Sequence, residues 1–159
     1  MKISSVLLLM ILIFPLMLGA DNYEVSVTRK GSNQYKIDGR NIYIHTRFCY
    51  EYAYSERAFL KMSGYSGEMI FLESDEECPV KAVYGSIDQE PGEYVVTISR
   101  EDDDWYEILG KGIYIKTSGC ISLAIGEKAV LSIIGGGYGT LHVGGNQCMV
   151  EGLYSKIRL

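Results

Sequence analysis

The chain has 159 residues, 47% of them apolar or aromatic, with 15 Lys and Arg against 20 Asp and Glu for a net charge of −5 at neutral pH. A surface of that sign repels phosphate backbones, which argues against a nucleic-acid partner. Four cysteines and 13 tyrosines point instead to a disulfide framework and to aromatic contact area.

The first twenty residues, MKISSVLLLMILIFPLMLGA, place one cation, Lys2, before an apolar run from Val6 to Leu18 and then the small residues Gly19 and Ala20. That layout is a signal peptide's. The run is interrupted by Pro15 and falls short of the roughly 20 apolar residues a bilayer span needs. Segment 1–20 is therefore read as a removed leader, with the mature chain starting near Asp21. No later stretch reaches transmembrane length, so no membrane span is expected after cleavage. Without Lys2, 14 cationic residues face 20 acidic ones, a net charge of −6 (14 − 20). The expected destination is exported, either periplasmic or extracellular. The remaining length suits one domain or two very small ones.

From Tyr23 onward the chain reads the same text twice. An offset of 71 aligns Tyr23–Gly64 with Tyr94–Gly135, and an offset of 70 aligns Ser66–Tyr84 with Gly136–Tyr154. Of these 61 aligned pairs 20 are identical, too many for chance; they include Tyr35 with Tyr106 and Ile42-Tyr43-Ile44 with Ile113-Tyr114-Ile115. Two β repeats are expected, 21–84 and 94–159, with GSIDQEPGE, 85–93, as the linker that Pro91 and two glycines mark.

Within each repeat, runs of four to eight residues rich in Val, Ile, Tyr and Thr alternate with Gly, Asp, Asn and Ser, which are strand and turn signals. In the second repeat they predict strands near 94–100, 105–109, 112–117, 120–125, 128–134, 139–143 and 148–154. The first repeat carries the same series, and no capped helical period follows Ala20. Gly31-Ser32-Asn33 and Asp102-Asp103-Asp104 suit tight bends, and Ser55-Glu56 and Gly126-Glu127 read as two-residue hairpin loops. Ala58, Leu60 and Met62, matched by Ala129, Leu131 and Ile133, are the expected core. The fold class is all-β, an antiparallel small barrel or sandwich, formed as two units in tandem or as one joint unit with a pseudo-twofold axis.

Cys49 aligns with Cys120 and Cys78 with Cys148. A unit near 60 residues buries little surface and gains from a staple, so one disulfide inside each repeat is expected, Cys49–Cys78 and Cys120–Cys148. A zinc site would need close cysteine pairs, and no two cysteines lie closer than 28 residues to each other. Neither a metal nor a cofactor is expected.

His45 and His142, the only histidines, align with Lys116 and Leu72, and the sequence gives neither a nucleophile or carboxylate partner. Glu101 and Asp102–Asp104 lack the loop spacing of a Ca²⁺ site, and Glu73 with Asp75–Glu77 read as a second solvated bend. Tyr50, Tyr52 and Tyr54 share a face and match Ile121, Leu123 and Ile125, which predicts that this face is buried in both repeats. Tyr65 and Tyr138, in glycine-rich turns, are the possible binding residues. The run GGGYG, 135–139, lacks the helix and lysine of a phosphate loop and reads as a hairpin turn. These features together predict an exported, non-enzymatic module binding a protein or glycan at the cell envelope. The alternatives are an inhibitor of a secreted basic hydrolase such as lysozyme, favoured by the acidic balance, and a hydrolase using His45 or His142.

Overall fold

The computed structural model describes residues 21–159; the expected leader, 1–20, lies outside the described residues. These residues form β-strands and no helix. The first six strands are β1 (Asp21–Gly31), β2 (Gln34–Ile37), β3 (Ile42–Thr46), β4 (Glu56–Ser63), β5 (Ser66–Phe71) and β6 (Glu77–Ile87). The second six are β7 (Gly92–Asp102), β8 (Trp105–Ile108), β9 (Ile113–Ser118), β10 (Glu127–Gly135), β11 (Tyr138–Val143) and β12 (Asn146–Ile157).

Every pairing is antiparallel, and each set closes on itself. In the first half the circuit runs β1-β2-β3-β6-β5-β4 and returns to β1. The second half repeats it as β7-β8-β9-β12-β11-β10. The protein is thus two small six-stranded barrels in tandem. Closure pairs the edges that an open sheet of this size would leave exposed. Each barrel has its own core, because strand alternation turns one face inward. Ala58, Leu60 and Met62 of β4 and Ala129, Leu131 and Ile133 of β10 are all buried.

Beyond closing the two rings, β6 and β12 pair with each other, Leu153 opposite Ile87 and Ile157 opposite Val83. At the centre of that ladder Gly85 faces Ser155, positions 70 apart in sequence, so a local twofold axis passes through the pair. A third apolar cluster fills the seam: Tyr43, Ala82, Tyr84, Trp105, Tyr114 and Tyr154. Tyr43 and Tyr114 are axis-related, as are Tyr84 and Tyr154. Gln34 and Trp105, also equivalent, meet directly, with the Trp105 indole donating to Gln34 Oε1 at 3.1 Å.

Several sequence expectations are corrected. Residues 120–125 and their counterparts 49–54 lie outside the strand ladders, and Ser55-Glu56 and Gly126-Glu127 are not hairpin loops. The cause is topological: β3 and β4 stand on opposite sides of the ring, so the chain between them must cross the barrel end, and β9 to β10 does the same. The crossing segments alternate like strands because their inner residues, Cys49 and Ala53 in one and Cys120, Ser122 and Ala124 in the other, plug the barrel. Arg29 N–H donates to Ala53 O and Arg100 N–H to Ala124 O, while the identical Tyr35 and Tyr106 hydroxyls donate to Glu51 O and Ser122 O at 2.7 Å. Consequently the face expected to be buried is open: Tyr50, Tyr52, Tyr54, Ile121, Leu123 and Ile125 are each more than 70% exposed.

The offset-70 alignment also fails locally. Met62 pairs with Gly67 and Ile133 with Gly139, so β5 and β11 correspond at an offset of 72, His142 matches Ile70, and the β10–β11 turn is one residue longer. Finally, β6 and β7 absorb the ends of the expected linker, leaving only 88–91 outside strands.

Gly67 and Gly139 reveal why both hairpins keep glycine there. A Cβ would sit 2.0 Å from Lys61 O in the first and 1.8 Å from Ser132 O in the second, both immovable backbone atoms. Gly139→Ala is expected to cost about 2–3 kcal/mol in urea unfolding, the upper range for overpacking. A loss under about half a kcal/mol, the level of ordinary surface substitutions, would show that the hairpin gives way.

Both disulfides form within their own barrel, Cys49–Cys78 with Cα atoms 5.2 Å apart and Cys120–Cys148 at 5.1 Å. Each ties a crossing segment to the last strand of its ring.

Candidate functional site

The seam that joins the barrels also leaves a cleft beside it, of about 1120 Å³, lined from both halves. Its floor is formed by Tyr43 and Tyr154, whose rings meet edge to face at 5.4 Å. Burial raises the pKa of both phenols, aided by the Glu151 carboxylate, so they stay protonated donors. The Lys36 and Lys116 ammonium groups lie 5.8 and 5.7 Å from the Tyr43 centroid, within cation–π reach. Lys116 also pairs with Glu151 at the cleft margin.

One wall is the longer β10–β11 turn. Gly136 and Gly137 have φ of 58° and 79°, a region glycine enters freely. A side chain at Gly137 would approach Leu153 N to 3.3 Å, so the turn lies against the seam backbone. This close approach carries Tyr138, 58% exposed, to the cleft, together with exposed Ile134. The lining also includes residues that carry amides, Asn41 and Gln147, and hydroxyls, Ser86 and Thr140. The cleft therefore combines an aromatic ring and apolar surface with residues that donate and accept hydrogen bonds.

Of the two tyrosines expected to bind, only Tyr138 lines this cleft. Tyr65, on the shorter β4–β5 turn, carries the Arg158 guanidinium 4.5 Å from its ring centroid and lies outside the lining. Lys36, Tyr43 and Glu151 were missed by sequence reasoning. They come from segments about a hundred residues apart, and no local pattern joins them.

The histidines separate completely. His142 is exposed on β11 with Nε2 3.5 Å from Thr140 Oγ1, beyond the 2.6–3.2 Å reach of a working general base. His45 is fully buried in the seam, its ring 4.6 Å from both Tyr84 and Trp105. Neither of its nitrogens has a hydrogen-bond partner among the described residues. Asp102 Oδ2 approaches Nδ1 only to 3.8 Å. Burial, with Lys81 and Lys156 nearby, lowers the His45 pKa to about 3. An imidazole whose folded pKa is depressed takes up its proton more readily in the unfolded chain. Stability is then full above pH 6.5 and falls as pH drops toward 3, by up to about 1.4 kcal/mol per pH unit. His45→Phe, which keeps the aromatic contacts, should remove that slope. Urea midpoints at neutral pH and near pH 4.5 test this, and identical acid losses in both proteins would contradict it.

The acidic run of β7 and its turn is dispersed among partners. Glu101 pairs with Lys81 at 2.6 Å, Asp103 with Arg100 at 2.9 Å, and Asp104 Oδ1 accepts from Cys120 N–H. Among the described residues no cluster of three or more metal-ligating side chains is present.

No protein-family model, curated protein or solved structure matches this chain.

Proposed function

We propose that the protein is an exported, non-enzymatic binding module that takes a glycan in the seam cleft. The observation that carries this reading is that one cleft is lined by Tyr138 together with the amide- and hydroxyl-bearing residues Asn41, Ser86, Thr140 and Gln147, drawn from both barrels. Sugar rings combine an apolar C–H face, which stacks on an aromatic ring, with hydroxyls that match such a donor and acceptor set. Two disulfides suit an oxidising compartment, which supports export. The absence of chemistry is an inference from the histidines, one sealed in the seam and one lacking a partner at working distance.

A panel of immobilised envelope oligosaccharides, followed by calorimetry on those retained, tests the proposal. Tyr138→Ala should weaken binding about tenfold, near 1.4 kcal/mol, the scale of one aromatic stacking contact. Gln147→Ala should weaken it less, and Tyr65→Ala should leave it unchanged. Retention of no oligosaccharide, or full binding by Tyr138→Ala, would overturn the assignment.

A second reading rests on the β5–β6 turn, where Glu73, Asp75, Glu76 and Glu77 are all exposed. That acidic tip suits capture of a basic hydrolase. Salt-sensitive retention of lysozyme, abolished by neutralising these four carboxylates, would favour it over the cleft.

A further inference from the structure

The two crossing segments and the residue before the first concentrate seven highly exposed large apolar side chains. Phe48, Tyr50, Tyr52 and Tyr54 are 77–81% exposed, and Ile121, Leu123 and Ile125 are 72–90% exposed. Both strips begin on one face of the molecule. Cys49 N–H donates to Asn33 Oδ1 and Cys120 N–H to Asp104 Oδ1. Those two turns touch across the seam, Gln34 Nε2 donating to Asp103 O at 3.1 Å while Trp105 donates to Gln34. The local twofold axis therefore relates an aromatic strip to an aliphatic one on a shared face.

We infer that this face is a self-association surface, on which a second copy of the chain lays its aliphatic strip along the tyrosine strip of the first, twice over, in a symmetric dimer. Three observations favour that occupant. The four aromatic and three aliphatic side chains offer on the order of 800 Å², about what each partner of a standard interface buries. Aromatic and β-branched side chains are favourable neighbours across paired extended segments, and the two strips have the same i, i+2, i+4 spacing. The amide groups of residues 50–54 and 121–125 donate to no protein group among the described residues. An antiparallel partner segment supplies the acceptors they need, and lipid hydrocarbon does not. The net negative charge further disfavours an anionic lipid surface. The aliphatic strip offers neither ring nor hydroxyl to a glycan, so this surface is independent of the cleft and of the reading proposed for it.

Sedimentation velocity of the oxidised, exported protein at micromolar concentration tests the inference. The wild type should sediment as a dimer. Leu123→Glu and Tyr52→Lys, both at exposed positions, should each weaken dimerisation at least tenfold and sediment as monomers with unchanged circular dichroism. Mixed in equal amounts, they should recover a dimer. In the mixture one seam joins the new lysine to the new glutamate, and the other joins two unaltered strips. A wild-type monomer would overturn the inference, whether or not lipid vesicles or another protein then bind the strips. A dimer insensitive to both substitutions would overturn it as well. Failure of the mixture to recover would overturn the aromatic-to-aliphatic arrangement, because pairing like strip with like leaves an unmatched charge in both seams.

Discussion

Replacing Cys120 and Cys148 together with serine should lower the unfolding free energy by about 3.5 kcal/mol, and the Cys49 and Cys78 pair should behave alike. The bridges close loops with separations of 28 and 29 residues, and loops of that length remove about that much denatured-state entropy in the chain-entropy account. A native contribution comes on top. Each bridge holds a crossing segment over its barrel end, where Ala53 or Ala124 plugs the core and the Tyr35 or Tyr106 hydroxyl is satisfied. With the tether gone, the crossing segment is the first part free to lift. Urea unfolding measures the total, and faster hydrogen exchange at the Arg29 or Arg100 amide, which donates to Ala53 O or Ala124 O, locates it. A loss below about 1 kcal/mol would mean that the barrels do not depend on their staples.

Trp105→Ala should be the most damaging single substitution, costing about 4 kcal/mol, within the range for deleting a buried tryptophan. Trp105 is fully buried and packs against Tyr43, Tyr84, Tyr154 and His45, with ring centroids 4.6–5.3 Å away. Its removal also strips Gln34 Oε1 of its donor in a buried place, which adds a desolvation cost. Since the ring lies between the barrels, the damage should be to their coupling. The variant should unfold over a broader urea range, as two barrels losing cooperativity, whereas a core deletion such as Leu131→Ala should shift a single sharp transition. An equally sharp transition in Trp105→Ala would show that the seam does not couple the halves.

Alternation and pairing identities made the strands of each barrel legible, and the matched positions of β4 and β10 identified core residues correctly. Alternation alone could not tell a paired strand from a crossing segment. Residues 49–54 and 120–125 show the same inward and outward rhythm as β4 and β10, but the ring order keeps them out of the ladders. The inference that Tyr50, Tyr52 and Tyr54 are buried because their counterparts are apolar failed for a related reason. Agreement between two copies marks a shared environment, and here that environment is solvent. Tyr138 was visible as an aromatic residue in a glycine-rich turn. Its cleft was not, because it is made by the extra residue in the β10–β11 turn and by β6–β12 pairing across the seam, which joins strands some 70 residues apart. Trp105 sits where the other half has Gln34, and the two meet across the axis, a contact that a mismatch between copies does not announce.

The whole account depends on two closed rings, each stapled within itself. Tryptic mapping of the oxidised protein without reduction tests that most directly. Peptide 48–57, which holds Cys49, should be linked to peptide 62–81 with Cys78, and peptide 117–128 with Cys120 to peptide 129–156 with Cys148. A link between peptides 48–57 and 117–128, or four free thiols, would contradict it.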